Sequence, residues 1–442
     1  MMLLKSKTLS RFFSNYGMFF VLLLLCIFFS WATLSEQHPE GFKAARMLAR
    51  DLAKAKNQYK LPLILARQNQ QDLQFAEILE KLLRDAGFSS VKVATGEPAD
   101  IRRKIQDILR NGEPVDVILT TRSYAPAAAR IKENFPEFAS VSLLTPSSYN
   151  WPTFLLPENL MNVANQIVVI AIIAVGMTMV IVSAGIDLSV GSLIALSAVV
   201  VTWLIHRTGA SAASSGAMIL CALAAILLCG AFGAFSGFMI TRFKLPPFIA
   251  TLGMMQVASG FAYIISQGKP IYEVPDSFIW LGRGIAPVLS IPYAVILMIL
   301  IYLAAHILMT RTTLGRHIYA VGGNPEAARL SGVRVNWVLL FVYITCGIMA
   351  GLGGIVMASQ LKSGAPTYGQ MYELYVIASV VVGGTSLSGG EGRIMGTLIG
   401  AFIIAVIQNG MNLTNVESYT QKVVLGFVIL GAVLLDMLKK RG

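Results

Sequence analysis

Long runs of apolar residues alternate with short polar connections along most of this 442-residue chain. A helix of about 20 apolar residues crosses a hydrocarbon core of about 30 Å. The pattern therefore predicts an all-α polytopic membrane protein with about ten transmembrane helices, one of which is short enough to be a broken or half helix. The runs lie at 16–34, 160–183, 189–206, 216–241, 246–266, 289–310, 336–358, 372–385 (the short one), 395–413 and 419–437.

Residues 36–150 show a different pattern, in which short apolar segments alternate with amphipathic ones. The segment "LPLILAR" at 61–67 predicts a buried strand, and residues 70–87 predict an amphipathic helix that ends at a glycine. Strand and helix patterns then continue in turn, which is typical of a parallel sheet with right-handed crossovers. We expect an inserted soluble α/β domain, Rossmann-like or equivalent to one lobe of a binding protein, between a first span at 1–35 and a membrane domain at 151–442.

Composition supports a location in the lipid bilayer. Hydrophobic residues make up 55% of the chain and charged residues 13%, whereas a soluble chain carries about 25% charged residues. The net charge of +12 does not indicate a nucleic-acid partner, because many of the basic residues lie at the ends of apolar runs, where they orient spans. The insert is richer in charge and holds 17 of the 35 Lys and Arg residues and 14 of the 23 Asp and Glu residues.

The distribution of basic residues predicts the topology. Lys5, Lys7 and Arg11 precede the first run, and "KKRG" closes the chain, so both termini are expected in the cytoplasm and the insert outside it. The first run is longer than the usual signal-peptide core, which favours an uncleaved anchor. A cleaved signal peptide is the alternative, since small residues surround Trp31.

The peptide "SLSGGEGR" at 386–393 looks like the signature peptide of ATP-binding-cassette ATPases. Such an ATPase also needs a phosphate-binding loop of the form Gly-x-x-x-x-Gly-Lys-Ser/Thr, and the sequence contains none. We interpret the peptide as a glycine-rich re-entry between two spans. The four cysteines all lie inside apolar runs, and no nucleophile–base pair is recognisable. We therefore predict no catalytic residue, no metal site and no cofactor bound by this chain.

A polar stretch between two spans predicts a short helix outside the membrane. Asn324 can cap it, Pro325 suits its first position, and Gly332 suits its end. A helix of about two turns is not stable alone and needs a partner surface. It is either a docking helix for another protein or an ordinary loop helix packed on the membrane surface, with Ala327, Ala328 and Leu330 expected to be exposed. The residues assigned to it are Asn324, Pro325, Glu326, Ala327, Ala328, Arg329, Leu330 and Gly332.

A lone acid, Asp187, lies between two apolar runs. An acid at such a position is costly unless it is paired or caps a helix. One interpretation is that Asp187 or Ser189 satisfies the free amides of the next span. The other is a role in a gate or at a partner interface.

Uncharged polar residues inside the spans are candidates for a solute pathway, although many such residues form hydrogen bonds between helices. Pairs of glycines four residues apart, at 233/237, 347/351 and 396/400, instead predict close helix packing. The pathway candidates are Asn162, Asn165, Gln166, Thr251, Gln256, Ser259, Gln408, Asn409 and Asn412.

Taken together, several peptides resemble the membrane-spanning permease of bacterial ABC-type monosaccharide importers, the ribose/xylose/galactose group. The resemblance covers nearly all of 151–442 and the first span. Its clearest segments are "PENLMNV" (157–163), "GMTMVIVSAGIDLSVGS" (176–192), "GRHIYAVGGNPEAARLSGV" (315–333), "VVGGTSLSGGEGRIMGTLIGA" (381–401) and "QKVVLGFVILGAVLLD" (421–436).

The resemblance implies a mechanism in the bacterial cytoplasmic membrane. Two permease subunits, identical or different, form the pathway, and ABC ATPase subunits that use ATP and Mg dock on coupling helices, here 324–331. An extracytoplasmic solute-binding protein delivers a small sugar. Import of another small solute, such as a branched-chain amino acid, nucleoside or autoinducer, stays open, as do a secondary transporter and a membrane sensor.

The insert at 36–150 departs from the family, whose members join the first two spans by a short connection. A spacer or stability domain, a docking site for the binding protein or another partner, and a ligand sensor are three interpretations of this insert. Its presence leaves the identity of the solute open.

Overall fold

The computed structural model describes residues 2–112 and 114–441, and their side chains over 17–112, 114–434 and at 437. The chain divides into two compact units. One unit is Leu34–Thr153, and the other contains the preceding segment together with everything from Phe154 onward.

The chain begins with helix α1 and then enters the unit Leu34–Thr153, in which strands and helices alternate as the sequence predicts. A further helix, α2, and two outer strands, β1 and β6, were not predicted. The elements are α1 (Met2–Ala32), β1 (Leu34–Gln37), α2 (Gly41–Lys54), β2 (Pro62–Ala66), α3 (Gln70–Asp85), β3 (Lys92–Thr95), α4 (Pro98–Arg110), β4 (Val117–Thr120), α5 (Ala125–Glu133), β5 (Ser142–Leu144) and β6 (Tyr149–Pro152).

Four of these strands form a parallel sheet in the order β3-β2-β4-β5. Its register pairs Ile64 with Val93 on one side and with Leu119 on the other. All five residues of β2 are buried, because helices cover both faces of the sheet. Helices α2 and α3 build one apolar core and α4 and α5 the other.

Strands β1 and β6 pair antiparallel, with Leu34 opposite Pro152 and Gln37 opposite Tyr149. The compact unit therefore starts two residues before the predicted insert and ends three residues after it. That this unit is a soluble domain outside the cytoplasm stays a prediction.

The second unit is almost entirely helical. Its remaining elements are α6 (Pro157–Val182), α7 (Val190–Arg207), α8 (Ser215–Phe243), α9 (Pro247–Ser266), α10 (Trp280–Arg283), β7 (Ile285–Ala286), β8 (Ile291–Pro292), α11 (Tyr293–Arg311), α12 (Thr313–Gly323), α13 (Pro325–Leu330), α14 (Val335–Leu361), α15 (Tyr372–Val382), α16 (Ile394–Leu413) and α17 (Ser418–Arg441).

Seven of the described helices are long and apolar enough to cross a membrane: α6, α7, α8, α9, α11, α14 and α16. Three shorter apolar helices lie at Gly17–Ala32, Tyr372–Val382 and Ser418–Leu434. Each predicted run therefore corresponds to a helix, and the short run at 372–385 is indeed a short helix. The chain is a helical polytopic membrane protein, while the total of ten spans stays a prediction.

The predicted glycine pairs do mark close helix packing. A Cβ on Gly233 would collide with the backbone of Tyr343, and one on Gly347 with the carbonyl oxygen of Cys229, so α8 and α14 approach at backbone distance. A Cβ on Gly396 would collide with the carbonyl oxygen of Gly383, and one on Gly400 with that of Ser379, so α16 approaches α15 equally closely. Small residues allow this approach in lipid, where van der Waals packing drives helix association.

Candidate functional site: a docking helix and a transmembrane recess

Helix α13 is built as the sequence predicts. The Oδ1 atom of Asn324 accepts hydrogen bonds from the backbone N–H groups of Glu326 (3.0 Å) and Ala327 (2.9 Å). Arg329 contacts Glu326 at 3.3 Å one turn away. Gly332 lies just beyond the helix with φ +86°, a conformation that favours glycine. The capped helix therefore has fixed ends despite its six residues.

The exposed face of α13 differs from the prediction at one position. Leu330 is 89% exposed and Ala327 is exposed, but Ala328 is only 5% exposed because it packs into the membrane-unit core. Exposure of Ala328 was therefore wrongly predicted. The helix is anchored by its middle and leaves the Leu330 side chain exposed.

The glycine-rich peptide packs against α12 and the end of α6. The N–H of Gly390 donates to the carbonyl oxygen of Val182 at 2.8 Å, at the end of α6. Gly389 and Gly390 have φ values of +81° and +76°, so the loop turns in a way that other residues adopt at a cost. A Cβ on Gly322 of α12 would collide with Val182, which shows how tightly α12 lies against this layer.

Tyr319 of α12 fixes the loop from the other side. Its hydroxyl donates to the carbonyl oxygen of Gly392 at 2.7 Å. Burial raises the pKa of Tyr319 although the positive charge of Arg393 acts against the rise, so the hydroxyl stays protonated and able to donate. The peptide that looks like an ATPase signature is thus a packing element that joins the end of α6 to α12.

Asp187 and Ser189 lie in the turn between α6 and α7 and are both buried. The Oδ1 atom of Asp187 accepts from the Ser189 hydroxyl (2.6 Å) and from the Ser189 N–H (2.9 Å). Asp187 therefore satisfies the free N–H of Ser189, the residue at the start of α7, whereas the Ser189 side chain makes no cap hydrogen bond to that helix. Tyr343 and Cys346 of α14 lie close enough to interact with the Asp187 carboxyl group. Its role in a gate stays a prediction.

Several of the predicted pathway residues join helices to one another. Asn409 and Asn159 exchange two side-chain amide hydrogen bonds of 2.9 and 3.0 Å between α16 and α6. Gln360 donates to the carbonyl oxygen of Asn165 at 3.1 Å. Such bonds fix neighbouring spans and are satisfied without any solute.

Two further candidates, Thr251 and Asn412, form hydrogen bonds with neighbouring segments of the chain. Thr251 donates to the carbonyl oxygen of Ile186 at 3.2 Å, which ties the start of α9 to the Asp187 turn. The side chain of Gln421 donates to Asn412 Oδ1 at 2.8 Å. The other candidates on α6 and α16 differ in burial: Asn162 and Gln166 are exposed, and Gln408 is half-buried.

Gln256 and Ser259, by contrast, line a recess of about 290 Å³ between α7, α9 and the segment before α15. Helix α7 contributes Ser192, and residues 366–373 form the facing wall. The hydrogen-bonding residues of that wall were not predicted; two lie in the irregular segment ahead of α15 and one in the first turn of α15. They are Tyr368, Gln370 and Glu373.

Close backbone contacts shape this recess. A Cβ on Gly191 would collide with the Glu373 carboxylate, so the start of α7 and the start of α15 touch. Met371 sits between them with φ +67° and is 56% exposed. A short helix after irregular backbone is the feature that could have revealed the wall, because irregular backbone at membrane depth occurs where it lines a cavity or is buried in protein.

A larger recess of about 580 Å³ lies at the carboxyl ends of α7 and α9. Its lining includes His206 and Glu273, whose side chains approach to 2.9 Å, and the aromatic side chains Trp203 and Tyr272. The guanidinium of Arg207 lies 5.4 Å from the centre of the Trp203 ring. None of these residues was predicted as functional, because aromatic and charged residues at the end of a span also serve as interface anchors.

A family described as "Branched-chain amino acid transport system / permease component" matches residues 159–433, well over half of the chain. The chain belongs to this permease family. The match contains α13, the glycine-rich loop and both recesses.

Three curated relatives are similar over most of their own length. The ribose import permease RbsC of Escherichia coli (strain K12) is 46% identical over 297 residues, which cover 65% of this chain and 88% of that protein. The ribose import permease RbsC of Bacillus subtilis (strain 168) is 42% identical, with 65% and 87% covered. The D-allose transport system permease AlsC of Escherichia coli (strain K12) is 39% identical, with 64% and 85% covered. No solved structure matches this chain.

Proposed function

We propose that this chain is the permease subunit of an ATP-driven importer that carries a monosaccharide across the cytoplasmic membrane. The supporting observation is the 46% identity to a ribose import permease, which extends over 88% of that protein. Relatives named for allose, fructose and arabinose transport are also similar to this chain, which supports a monosaccharide as the class of solute.

A separate ATPase subunit supplies the energy in this proposal. Helix α13 is its docking helix, since the helix is capped, anchored by Ala328 and presents Leu330 to a partner. ATP and Mg²⁺ are then bound by that partner. The glycine-rich loop transmits force because it connects α12 to the end of α6.

The solute pathway runs beside α9, between this chain and a second permease subunit, identical or homologous. Gln256 is exposed on a helix long enough to span the bilayer, and a side-chain amide facing lipid is costly. A water-filled pathway or a partner helix at this face removes that cost. The recess lined by Gln256, Ser259 and Gln370 offers neutral hydrogen-bonding groups of the kind that suit sugar hydroxyls.

An extracytoplasmic binding protein delivers the solute at the recess around Trp203 and Tyr272. Aromatic faces beside hydrogen-bonding groups such as His206 and Gln267 fit a sugar that passes from one protein to another.

The first test is a gentle purification of the chain from its native membrane, with co-purifying proteins identified. We expect an ABC ATPase in near-equal amount, together with a binding protein when transport is arrested by a non-hydrolysable ATP analogue. A chain that is folded and transports alone would contradict the proposal and favour a secondary transporter or a sensor.

A second test identifies the solute. The family description favours one other candidate, branched-chain amino acids. The complex is placed in vesicles, and uptake of labelled ribose, allose, fructose, arabinose and leucine is compared with and without ATP. We expect ATP-dependent uptake of at least one sugar and none of leucine. Uptake of leucine alone would reverse the assignment.

A further inference from the structure

The recess between α7, α9 and residues 366–373 has polar walls but contains a single charged group. Among the described residues that line it, Glu373 is the one whose side chain is charged at neutral pH. No lysine, arginine or histidine of the described chain forms an ion pair with its carboxylate. A solute in this recess therefore meets a negative charge that the protein does not neutralise. An ionisable residue that lines a cavity of a membrane domain is typical of a solute or ion pathway.

The starts of two helices hold this carboxylate in place. Glu373 lies in the first turn of α15, and its Oε2 atom lies against Gly191 in the first turn of α7, where a Cβ would collide with it. The first turn of a helix has free backbone N–H groups and a partial positive charge of roughly half an elementary charge. Both helix starts therefore favour the ionised form of the Glu373 carboxyl group.

Neutral hydrogen-bonding groups line the same recess. The side chains of Ser192, Gln256, Ser259 and Gln370 form no hydrogen bond with the other residues that the structure describes. Hydroxyl and amide groups both donate and accept, whereas a carboxylate only accepts. A solute that binds beside Glu373 must therefore offer donors to it, and the hydroxyl groups of a sugar do so.

The size of the recess and one aromatic ring also suit a single sugar ring. Tyr368 adds the flat face of its ring to the wall, and its hydroxyl shares a hydrogen bond with Ser363, which fixes the ring. The volume of about 290 Å³ lies at the lower end of the range for small-molecule sites, roughly 300 to 1,000 Å³.

We propose that Glu373 makes this recess select sugars by their charge. Its carboxylate accepts hydrogen bonds from the hydroxyls of a neutral monosaccharide, admits a cationic amino sugar and repels a sugar acid. This inference rests on the proposed function, because it assigns the recess to the path of the imported sugar. It also disfavours leucine as the solute, since the described lining offers no basic partner for the carboxylate of an amino acid.

The test measures sugar binding to the full chain, together with its co-purified ATPase in lipid nanodiscs, by saturation-transfer NMR. The binding protein is left out so that its own selection does not contribute. The probes are glucose, glucuronate and glucosamine at slightly acidic pH, which share one pyranose ring and are neutral, anionic and cationic. We expect glucosamine to bind at least as tightly as glucose, and glucose about tenfold tighter than glucuronate, as for one interaction with a charged group. Equal binding of the three, tighter binding of glucuronate or binding of none overturns the proposal.

Glu373→Gln keeps the size of the side chain and removes its charge. Glucuronate should bind to this variant about tenfold more tightly than to the original chain, because the starts of α7 and α15 have lost their carboxylate. An undiminished preference for glucose over glucuronate in this variant would refute the role of Glu373.

Glu158→Gln is the matched control. Glu158 lies in the first turn of α6, is exposed and lines neither recess of this unit. The order of the three affinities should be that of the original chain. Equal effects of Glu158→Gln and Glu373→Gln would mean that general surface charge repels glucuronate, and they would refute the site.

Gln256→Lys gives an answer that does not depend on the folding of Glu373→Gln. The variant adds a positive charge at an exposed position of the same recess and keeps the contact between Glu373 and Gly191. The tenfold preference for glucose over glucuronate should fall to about twofold or less. An unchanged preference in a chain with the original unfolding temperature overturns the proposal.

ATP-driven uptake of ribose, allose, fructose and arabinose is measured with the same preparation. A complex that imports a sugar but binds the three probes equally refutes this inference alone. A complex that shows the expected order of affinities but imports no sugar refutes the proposed function and leaves the selection by charge in place.

Discussion

Helices α6 and α9 are both apolar enough to cross a membrane, yet they are surrounded very differently. In α6, 89% of the most apolar stretch is buried within the chain, against 22% in α9. Polar side chains at this centre of the bundle form bonds between helices, as in the Asn159–Asn409 amide pair. Helix α9 instead exposes Gln256 and two glycines, Gly253 and Gly260, that have open space around them.

The difference distinguishes polar residues that hold helices together from polar residues that are free to contact a solute or a partner. A polar or small residue at the centre of the helix bundle is already used by a neighbouring helix. Gln256, Gly253 and Gly260 on α9 are exposed instead, so they are available to a partner subunit or a solute. The following experiments test this comparison between the bundle centre and α9.

The largest effect is expected from Gly347→Leu at the bundle centre. The new side chain would collide with backbone atoms of Cys229, which cannot move without separating α8 from α14. We expect destabilisation of about 3 kcal/mol or more and loss of folded protein, measured as yield and unfolding temperature in detergent. Gly260→Leu on α9 is the control and should fold normally, because its Cβ meets open space. Equal losses of folded protein from Gly347→Leu and Gly260→Leu would show that α9 is packed as tightly as the bundle centre.

The next effect concerns the docking helix. Leu330→Asp places a charge on an exposed residue, so the chain should still insert, but stimulation of the ATPase by solute should fall roughly tenfold or more, as at an interface hot spot. Leu330→Met keeps an apolar contact and should retain most of the stimulation. Arg329→Glu and Gly332→Pro should also uncouple hydrolysis from uptake, since proline cannot adopt φ +86°.

Unchanged solute-stimulated hydrolysis in Leu330→Asp, Arg329→Glu and Gly332→Pro would contradict α13 as the docking helix. Insertion is checked separately by membrane fractionation.

A smaller effect is expected at the recess. Gln256→Leu should lower uptake about fivefold through the loss of one neutral hydrogen bond to the solute, with the unfolding temperature unchanged. Thr251→Val on the same helix removes a hydrogen bond to Ile186 and should lower stability instead. If Gln256→Leu destabilised the chain and left uptake intact, α9 would belong with the bundle centre.

The smallest effect is expected from Tyr319→Phe. The variant loses the hydrogen bond to Gly392 but keeps the ring, so it should cost about 1 kcal/mol of stability. The unfolding midpoint measures this loss. No change at all would show that the glycine-rich loop is held by its other contacts alone.

Much of the fold could be predicted from the sequence because its signals are local. A run of about 20 apolar residues, a glycine pair four residues apart and the Asn-Pro start of α13 each contain their own physical reason. The strand and helix alternation of residues 36–150 is of the same kind. Helix α2 was missed although its apolar residues repeat at helical spacing. The β1–β6 pair was missed because pairing of strands more than 100 residues apart has no local signature.

The candidate site could be predicted only in part. The sequence shows that Asn165, Thr251, Gln256 and Asn409 are polar residues in apolar surroundings. It does not show that Gln360 bonds Asn165 or that Asn159 bonds Asn409, because those partners are 195 and 250 residues away. Ala328 is a similar case, since its burial depends on what lies beneath α13.

The sequence by itself determined that this chain is a polytopic membrane protein, where its apolar helices lie, that an α/β segment interrupts them, and which permease family it resembles. The first three follow from hydrophobicity and local periodicity, which each segment has independently, and the resemblance rests on whole peptides of the sequence. Only the tertiary structure decided which polar groups are used by neighbouring helices, which of them line a recess, and how the glycine-rich loop packs against α12 and the end of α6. Those properties depend on contacts between distant segments, and such contacts exist only once the chain has packed.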